Sequence, residues 1–345
     1  MEEVYSTLTD KMSEGKSSPY EALQYLQSFV ARKKKSVGKD NMGLTIFFGA
    51  DLLAQRKAFN YVGELLDWYI DSDLFDIETS LQRIEELLKK FTPEDAEPVA
   101  QCIYAPLHQK VVKGMTRENR NDLQTRLVKL DAIFADVFQK TKKWSNAYKT
   151  VLRLGDIERA ATILNDWAKD AFKYEKPLFF ARAVLTLLSE RRIEQAALMV
   201  KYGAEYLKND ENVDPPRPGD EDSAQLAAWH LSFILSGLAS LPPAQRVDKT
   251  RLFNVLTTLY SAHLDSLDLK LLELLEKVGK SCFSVKAAGS DGANPMALLQ
   301  GLMAANAPPR QAKGGNARAP KKQEPNMADI NAMLQKMEAM NKAKR

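Results

Sequence analysis

Only two cysteines, Cys102 and Cys282, occur in 345 residues, and there is no Asn-x-Ser/Thr sequon. This excludes the disulfide framework of a small secreted domain. Histidine is as sparse: His108, His230 and His263 lie far apart, with no HExxH and no paired CxxC, so no metal site is readable. No apolar run approaches the roughly 18 residues that a membrane span needs, and direct membrane insertion is not expected. The first twenty residues, with Glu2, Glu3, Asp10 and Glu14, resemble neither a secretory signal nor a transit peptide. The expected compartment is the cytosol.

Motifs of catalysis and cofactor binding are missing as well. GxGxxG and GxSxG do not occur, and "EGKSS" at 14–18 fails as a phosphate loop because its first glycine would fall on Asp10 with no strand before it. No catalytic residue and no cofactor is assigned. The net charge of +4 also misleads: residues 305–345 hold nine basic and three acidic side chains, a surplus of +6, so the preceding chain carries −2. That balance gives no nucleic-acid-binding face to the body.

What the sequence does contain is helical period, almost without a break, and no strand alternation or hairpin turn. Val62, Leu65, Leu66 and Tyr69 mark one helix; Ile77, Leu81, Ile84, Leu87 and Leu88 mark the next. "TPED" at 92–95 places Thr92 as N-cap and Pro93 at the first helical position. Further helices read at about 122–140, 142–154, 156–173, 176–190, 192–208, 223–240, 248–263 and 266–284. Short connections make neighbours antiparallel, and pairs recur every 30 to 38 residues or so. The predicted fold is all-α, a right-handed α-solenoid of about six antiparallel hairpins, tetratricopeptide-like without the strict consensus. Trp68, Trp144, Trp167 and Trp229 fall in apolar stretches, as inter-helix anchors do.

The predicted solenoid occupies residues 1–285, divided into halves at 1–140 and 141–285. An acidic, proline-rich loop, "NDENVDPPRPGDED" at 209–222, interrupts it. Residues 286–345 read as a flexible tail with short helices at about 294–305 and 327–343. Met296, Leu299, Leu302 and Met303 share a face of the first; Ile330, Met333, Leu334, Met337 and Met340 share a face of the second.

The stretch "SPYEALQYLQSFVARKKK" at 18–35 poses the functional question. Ala22, Leu23, Leu26, Phe29 and Val30 line one helical face, and the helix ends in Arg32, Lys33, Lys34 and Lys35. Cations there complement the helix dipole, or form a docking patch.

With "FFGADLLAQR" following, this stretch resembles the start of the Golgi-to-ER traffic protein 4 family, the helical scaffold of the GET pathway. "FFARAVLTLLSERRIEQAALMVKYGAEYL" and "LEKVGKSCFSV" with "NPMALLQGLMAA" resemble later family elements in the same order, so the likeness runs from about Tyr20 to Met303. Departures are Leu23 where the family has histidine, Leu130-Asp131 where it has Leu-His, and the acidic loop 209–222 where fungal members form a β-hairpin. The resemblance implies a non-enzymatic adaptor for tail-anchored membrane proteins. It would bridge a ubiquitin-like GET-pathway protein with its co-chaperone to the targeting ATPase, and in animals also bind a Bag-domain scaffold.

On that resemblance, Arg32, Lys33, Lys34 and Lys35, with Asp67 and Asp71, face the targeting ATPase. Trp229, Phe233, Leu252, Phe253, Leu256, Leu271, Leu274 and Leu275 are the candidates for the ubiquitin-like partner, although helical period does not separate a core position from a surface one. Two competing readings are a solenoid subunit of a proteasome-lid-like or translation-factor complex, and an RNA-binding solenoid with a basic tail. The first would need a C-terminal winged helix and the second basic stripes along the body.

Overall fold

The computed structural model describes residues 2–12, 16–171, 175–208, 223–242, 248–264 and 269–285. All fall within Met1–Gly292, one of two units into which the chain divides. The acidic loop at 209–222, the short helices expected at 294–305 and 327–343, and the basic tail lie outside the described residues.

Among the described residues the structure is all-α, and fourteen helices follow one another. They are α1 (Glu2–Met12), α2 (Pro19–Val37), α3 (Lys39–Gln55), α4 (Phe59–Asp71), α5 (Ile77–Leu88), α6 (Pro93–Gly114) and α7 (Arg120–Lys140), then α8 (Trp144–Leu154), α9 (Ile157–Asp170), α10 (Lys176–Ser189), α11 (Ile193–Lys208), α12 (Ser223–Ser240), α13 (Lys249–Leu264) and α14 (Leu269–Cys282). They form an α-solenoid of seven pairs, where about six were predicted. One helix not read from the sequence is α1, whose Leu8 and Met12 are buried.

Local chemistry sets the helix starts. Ser18 and Glu21 form a capping box ahead of Pro19: the Glu21 N–H donates to Ser18 Oγ (3.2 Å) and the Ser18 N–H to Glu21 Oε2 (2.7 Å). The Ser18 N–H, and with it the Ser18 hydroxyl, both donating to the carboxylate, hold the Glu21 carboxyl below its ordinary range. Thr92 caps α6 as the sequence predicts, its hydroxyl accepting from the Asp95 N–H, with Pro93 following. Asp76 and Asp156 do the same for α5 and α9.

Three helix ends repeat one geometry with an unusual residue. Lys57, Lys142 and Arg191 adopt φ of 55°, 58° and 60°, the left-handed region that glycine normally fills. In each, the next residue's N–H reaches back to a helix carbonyl: Ala58 to Leu53 (3.0 Å), Lys143 to Phe138 (2.8 Å), Arg192 to Leu187 (2.9 Å). The closed turns link α3 to α4, α7 to α8 and α10 to α11 with only a few residues.

Alternate helices then stack. α2 packs on α4 and α4 on α6, and residues 39 apart meet across the stack. Lys34 Nζ lies 3.3 Å from Asp73, Lys90 Nζ 3.0 Å from Asp51, and Lys110 Nζ donates to the Asp71 carbonyl at 3.4 Å. The recurrence exceeds the 30 to 38 residues read from the sequence because α2 and α6 run to 19 and 22 residues. The contacts also show that α2, α4 and α6 are parallel, since each joins C-terminal ends. α4 and α6 come close at Gly63, where a Cβ would lie 3.0 Å from Cys102 Cβ and Sγ and 3.2 Å from the Pro98 carbonyl oxygen.

The C-terminal helices depart from a simple stack. α10 is apolar nearly all round, burying Leu178, Phe180, Val184, Leu185, Leu187 and Leu188. It packs against α9, α11 and α12, and α14 also returns onto it. The end of α14 satisfies one carbonyl at the end of α10: that of Leu188 accepts from the Ser281 hydroxyl and the Cys282 thiol, both at 3.1 Å. Arg191 Nε in turn donates to the Ser281 carbonyl at 2.9 Å.

Two substitutions test this account by chemical denaturation. Gly63→Val forces side chain into the α4–α6 contact and is expected to destabilise by about 1–3 kcal/mol. Lys57→Gly removes a left-handed side chain from an exposed turn and is expected to stabilise by about 0.5–1 kcal/mol, the relief being partly offset by glycine's greater unfolded entropy.

Candidate partner-binding surfaces

The four cations that end α2 are displayed rather than buried. Arg32, Lys33 and Lys35 are exposed and Lys34 is half-buried. Arg32 Nε donates to the Ser28 carbonyl one turn back at 3.1 Å, and Lys34 pairs with Asp73. Gly38, at φ 84°, ends α2 and starts α3 within a single residue, a conformation open to glycine. The cations therefore project at a corner.

Asp67 and Asp71 are both exposed on α4. Asp67, with Glu64 and Glu97, faces Cys102: burial pushes that thiol up, and these carboxylates push it further. Cys102 is thus the reverse of an activated thiolate. Asp71 offers its carbonyl to Lys110. The acid that meets the α2 cations is Asp73, just past the end of α4. It was missed because it lies outside the helix whose period was being read, and only the 39-residue recurrence would have pointed to it.

The eight C-terminal candidates fall into three groups. Trp229, 7% exposed, packs against Phe180 with ring centroids 6.1 Å apart. Phe253 stacks on Phe283 at 5.0 Å, and Leu271 and Leu275 are buried beside them in the core. These four reach a partner only through the residues they support. Leu256 and Leu274 are half-buried. Phe233 is 52% exposed, and Leu252 is exposed as well.

Exposure also singles out residues that helical period did not. Ile234 on α12, and Val255 and Leu259 on α13, are exposed, Leu259 by 69%. His230, Phe233, Ile234 and Gly237 are the outward positions of α12, at i, i+3, i+4 and i+7; Leu252, Val255 and Leu259 form the matching stripe on α13. The two helices pack together, and Lys249 Nζ donates to the Leu241 carbonyl at 2.6 Å where they join. Of ten exposed large hydrophobics among the described residues, five lie on these two helices. Apolar residues scattered singly are ordinary on a surface, but here half of the exposed large ones share two packed helices.

A third cluster is polar and runs from the buried Asp131 out to the exposed Arg153. His108 Nε2 lies 2.7 Å from Asp131 Oδ1, and Arg153 NH1 approaches the same oxygen at 3.7 Å. Arg153 sits over the Tyr104 ring at 5.1 Å, and the Thr150 hydroxyl lies 2.8 Å from Tyr104 Oη. The cluster ties α6, α7 and α8 together through hydrogen bonds and ion pairs. The two members are 23 residues apart, so no local spacing announced the pair. Among the described residues no three His, Cys, Asp or Glu side chains are arranged to hold a metal, and no helix is long and apolar enough to cross a membrane.

Comparison with known proteins addresses the fold and the family. A crystal structure of C. therm. Get4 matches with a TM-score of 0.52 at 16% identity, over 94% of this chain and 99% of that one. At that identity the likeness speaks to fold, and the fold is the all-α solenoid. Comparison with individual curated proteins gives no match. The family model described as Golgi to ER traffic protein 4 matches residues 45–305. That range runs from α3 through α14 and takes in the exposed stripes of α12 and α13, so the chain belongs to the Golgi to ER traffic protein 4 family.

Proposed function

We propose that this chain is a non-enzymatic adaptor of the cytosol that holds the tail-anchored-protein targeting ATPase on its N-terminal half, residues 1–140, and a ubiquitin-like partner on residues 141–285. Family membership supports a role in Golgi-to-ER traffic within the GET pathway. The division of labour rests on surface chemistry. Charges at the ends of α2 and α4 suit a fast, reversible, salt-sensitive contact. The apolar stripes of α12 and α13 suit a longer-lived one, because burying such area supplies most of the free energy of a stable interface.

The observation that carries this reading is the concentration of Phe233, Ile234, Leu252, Val255 and Leu259 on two packed helices. In this reading the ubiquitin-like protein covers the stripe, and a Bag-domain scaffold, where one exists, engages the same half. Clients pass from a co-chaperone on the ubiquitin-like protein to the ATPase.

Reconstitution with the purified ubiquitin-like protein and targeting ATPase of the same organism tests the proposal. Phe233→Glu with Leu259→Glu is expected to abolish co-elution with the ubiquitin-like protein while leaving the thermal midpoint unchanged. Retained co-elution would move that site elsewhere. Trp229→Ala is expected to act on the fold instead, costing about 3–5 kcal/mol in denaturation. Arg32→Glu with Lys33→Glu is expected to slow ATPase association on the order of tenfold at low salt, the gap closing as salt rises. An unchanged rate at low salt would remove α2 from the docking surface.

A further inference from the structure

The apolar stripe of α12 and α13 lies next to the point where the described chain ends. Phe283, just past α14, stacks on Phe253 of α13, and its carbonyl accepts from the Thr250 hydroxyl at 2.6 Å. Gly279 makes room for that ring, since a Cβ there would lie 2.9 Å from Phe253 Cε1, and the Val285 N–H donates to the Gly279 carbonyl at 3.0 Å. Residues 286–345 therefore leave from beside the first turns of α13, where Leu252 and Val255 are exposed. The outward face of α12 is also open at Gly237, where a Cβ would meet nothing within 4 Å. Glycine weakens a helix interior, and no packing within the described structure requires this one. It leaves a notch beside Phe233 and Ile234 that suits the close approach of another segment.

Reach and composition select the segment. The stretch between Val285 and Met296 spans up to about 36 Å when extended, whereas Leu252 to Leu259 is only about 10 Å of helix. The sequence "NPMALLQGLMAA" at 294–305 carries no charged residue, and Met296, Leu299, Leu302 and Met303 share one helical face. α12 likewise holds no Asp, Glu, Lys or Arg from Ser223 to Ser240. Joining the two strips no ion of its water, and methionine adapts to an irregular surface. The second methionine-rich stretch, at 327–343, is a poorer match. Asp329, Lys336, Glu338 and Lys342 interrupt it, and its tether is about four times as long, which lowers its effective concentration roughly eightfold.

We infer that in solution residues 294–305 dock in cis on the exposed stripe of α12 and α13, and shield it until the ubiquitin-like partner displaces them. The docking stands on the stripe, the exit of the chain and the tether; the displacement rests on the reading above that the partner uses this stripe. A short tether holds the segment at an effective concentration on the order of millimolar. A contact too weak to persist between separate molecules is then populated within one chain. The partner binds only the chains that are open, so its apparent affinity falls by the open fraction. The segment thus sets how readily the stripe is offered, and keeps exposed apolar surface covered while no partner is bound.

The test is crosslinking of the full-length chain, at low protein concentration, with a short bifunctional thiol reagent. Leu259→Cys with Leu302→Cys is expected to close within one chain, and the wild-type chain gives the background from Cys102 and Cys282. Leu259 is 69% exposed, so its replacement spares the core. Adding Met296→Glu and Leu299→Glu keeps the tether but spoils the apolar face, and is expected to slow closure on the order of tenfold. Equal rates with and without the two glutamates would overturn the docking, and so would crosslinks that join two chains, which would put a second copy on the stripe. In an otherwise wild-type chain, Met296→Glu with Leu299→Glu is expected to raise affinity for the ubiquitin-like protein about threefold to tenfold. Closure that depends on the apolar face with no change in that affinity would leave the docking standing and remove the partner from the stripe. A fall in affinity would overturn the displacement, because the partner would then be holding the segment as well. If closure ignores the glutamates while Phe233→Glu with Leu259→Glu still abolishes partner binding, the docking is overturned and the proposed function stands.

Discussion

Parallel stacking of alternate helices is the constraint on which the rest of the described structure depends. Each helix carries one apolar stripe too wide for a single antiparallel neighbour to cover, so it is shared between the next helix and the next but one. Gly63 lets α4 and α6 approach closely enough for that sharing, and the basic residues in left-handed turns keep the connections short. Once α2, α4 and α6 run the same way, their C-terminal ends form a common edge.

Much of the fold was legible in the sequence because the signals are local. Thr92 followed by Pro93 announces α6, and the apolar rows of α4 and α5 fall where the structure has them. The first helix was just as legible and was not read: Val4, Leu8 and Met12 repeat at four-residue intervals, and the last two are buried. The surfaces were less accessible to such reasoning. Trp229 and Phe233 are four apart on one helix, yet Trp229 packs on Phe180 and Phe233 faces outward. Because α12 borders several helices, its apolar arc is broad, and only the positions of α10 and α13 decide which part is covered. His108 and Asp131 met for the same non-local reason.

The two surfaces differ in what they ask of the fold. A charged edge tolerates movement of its long side chains, and its Lys34–Asp73 pair, open to water, contributes little to stability. An apolar stripe needs firm support beneath it. Trp229 and Phe253 supply that support, which is why the buried and exposed members of the C-terminal group belong to one structure with different tasks.

The return of α14 onto α10 has a consequence of its own. A stack of hairpins is a one-dimensional crystal: every layer leaves behind an unsatisfied layer like the one it covered, and nothing in the repeat says when to stop. Here the Leu188 carbonyl of α10 accepts from Ser281 and Cys282, so α14 turns back onto an earlier helix rather than adding another layer.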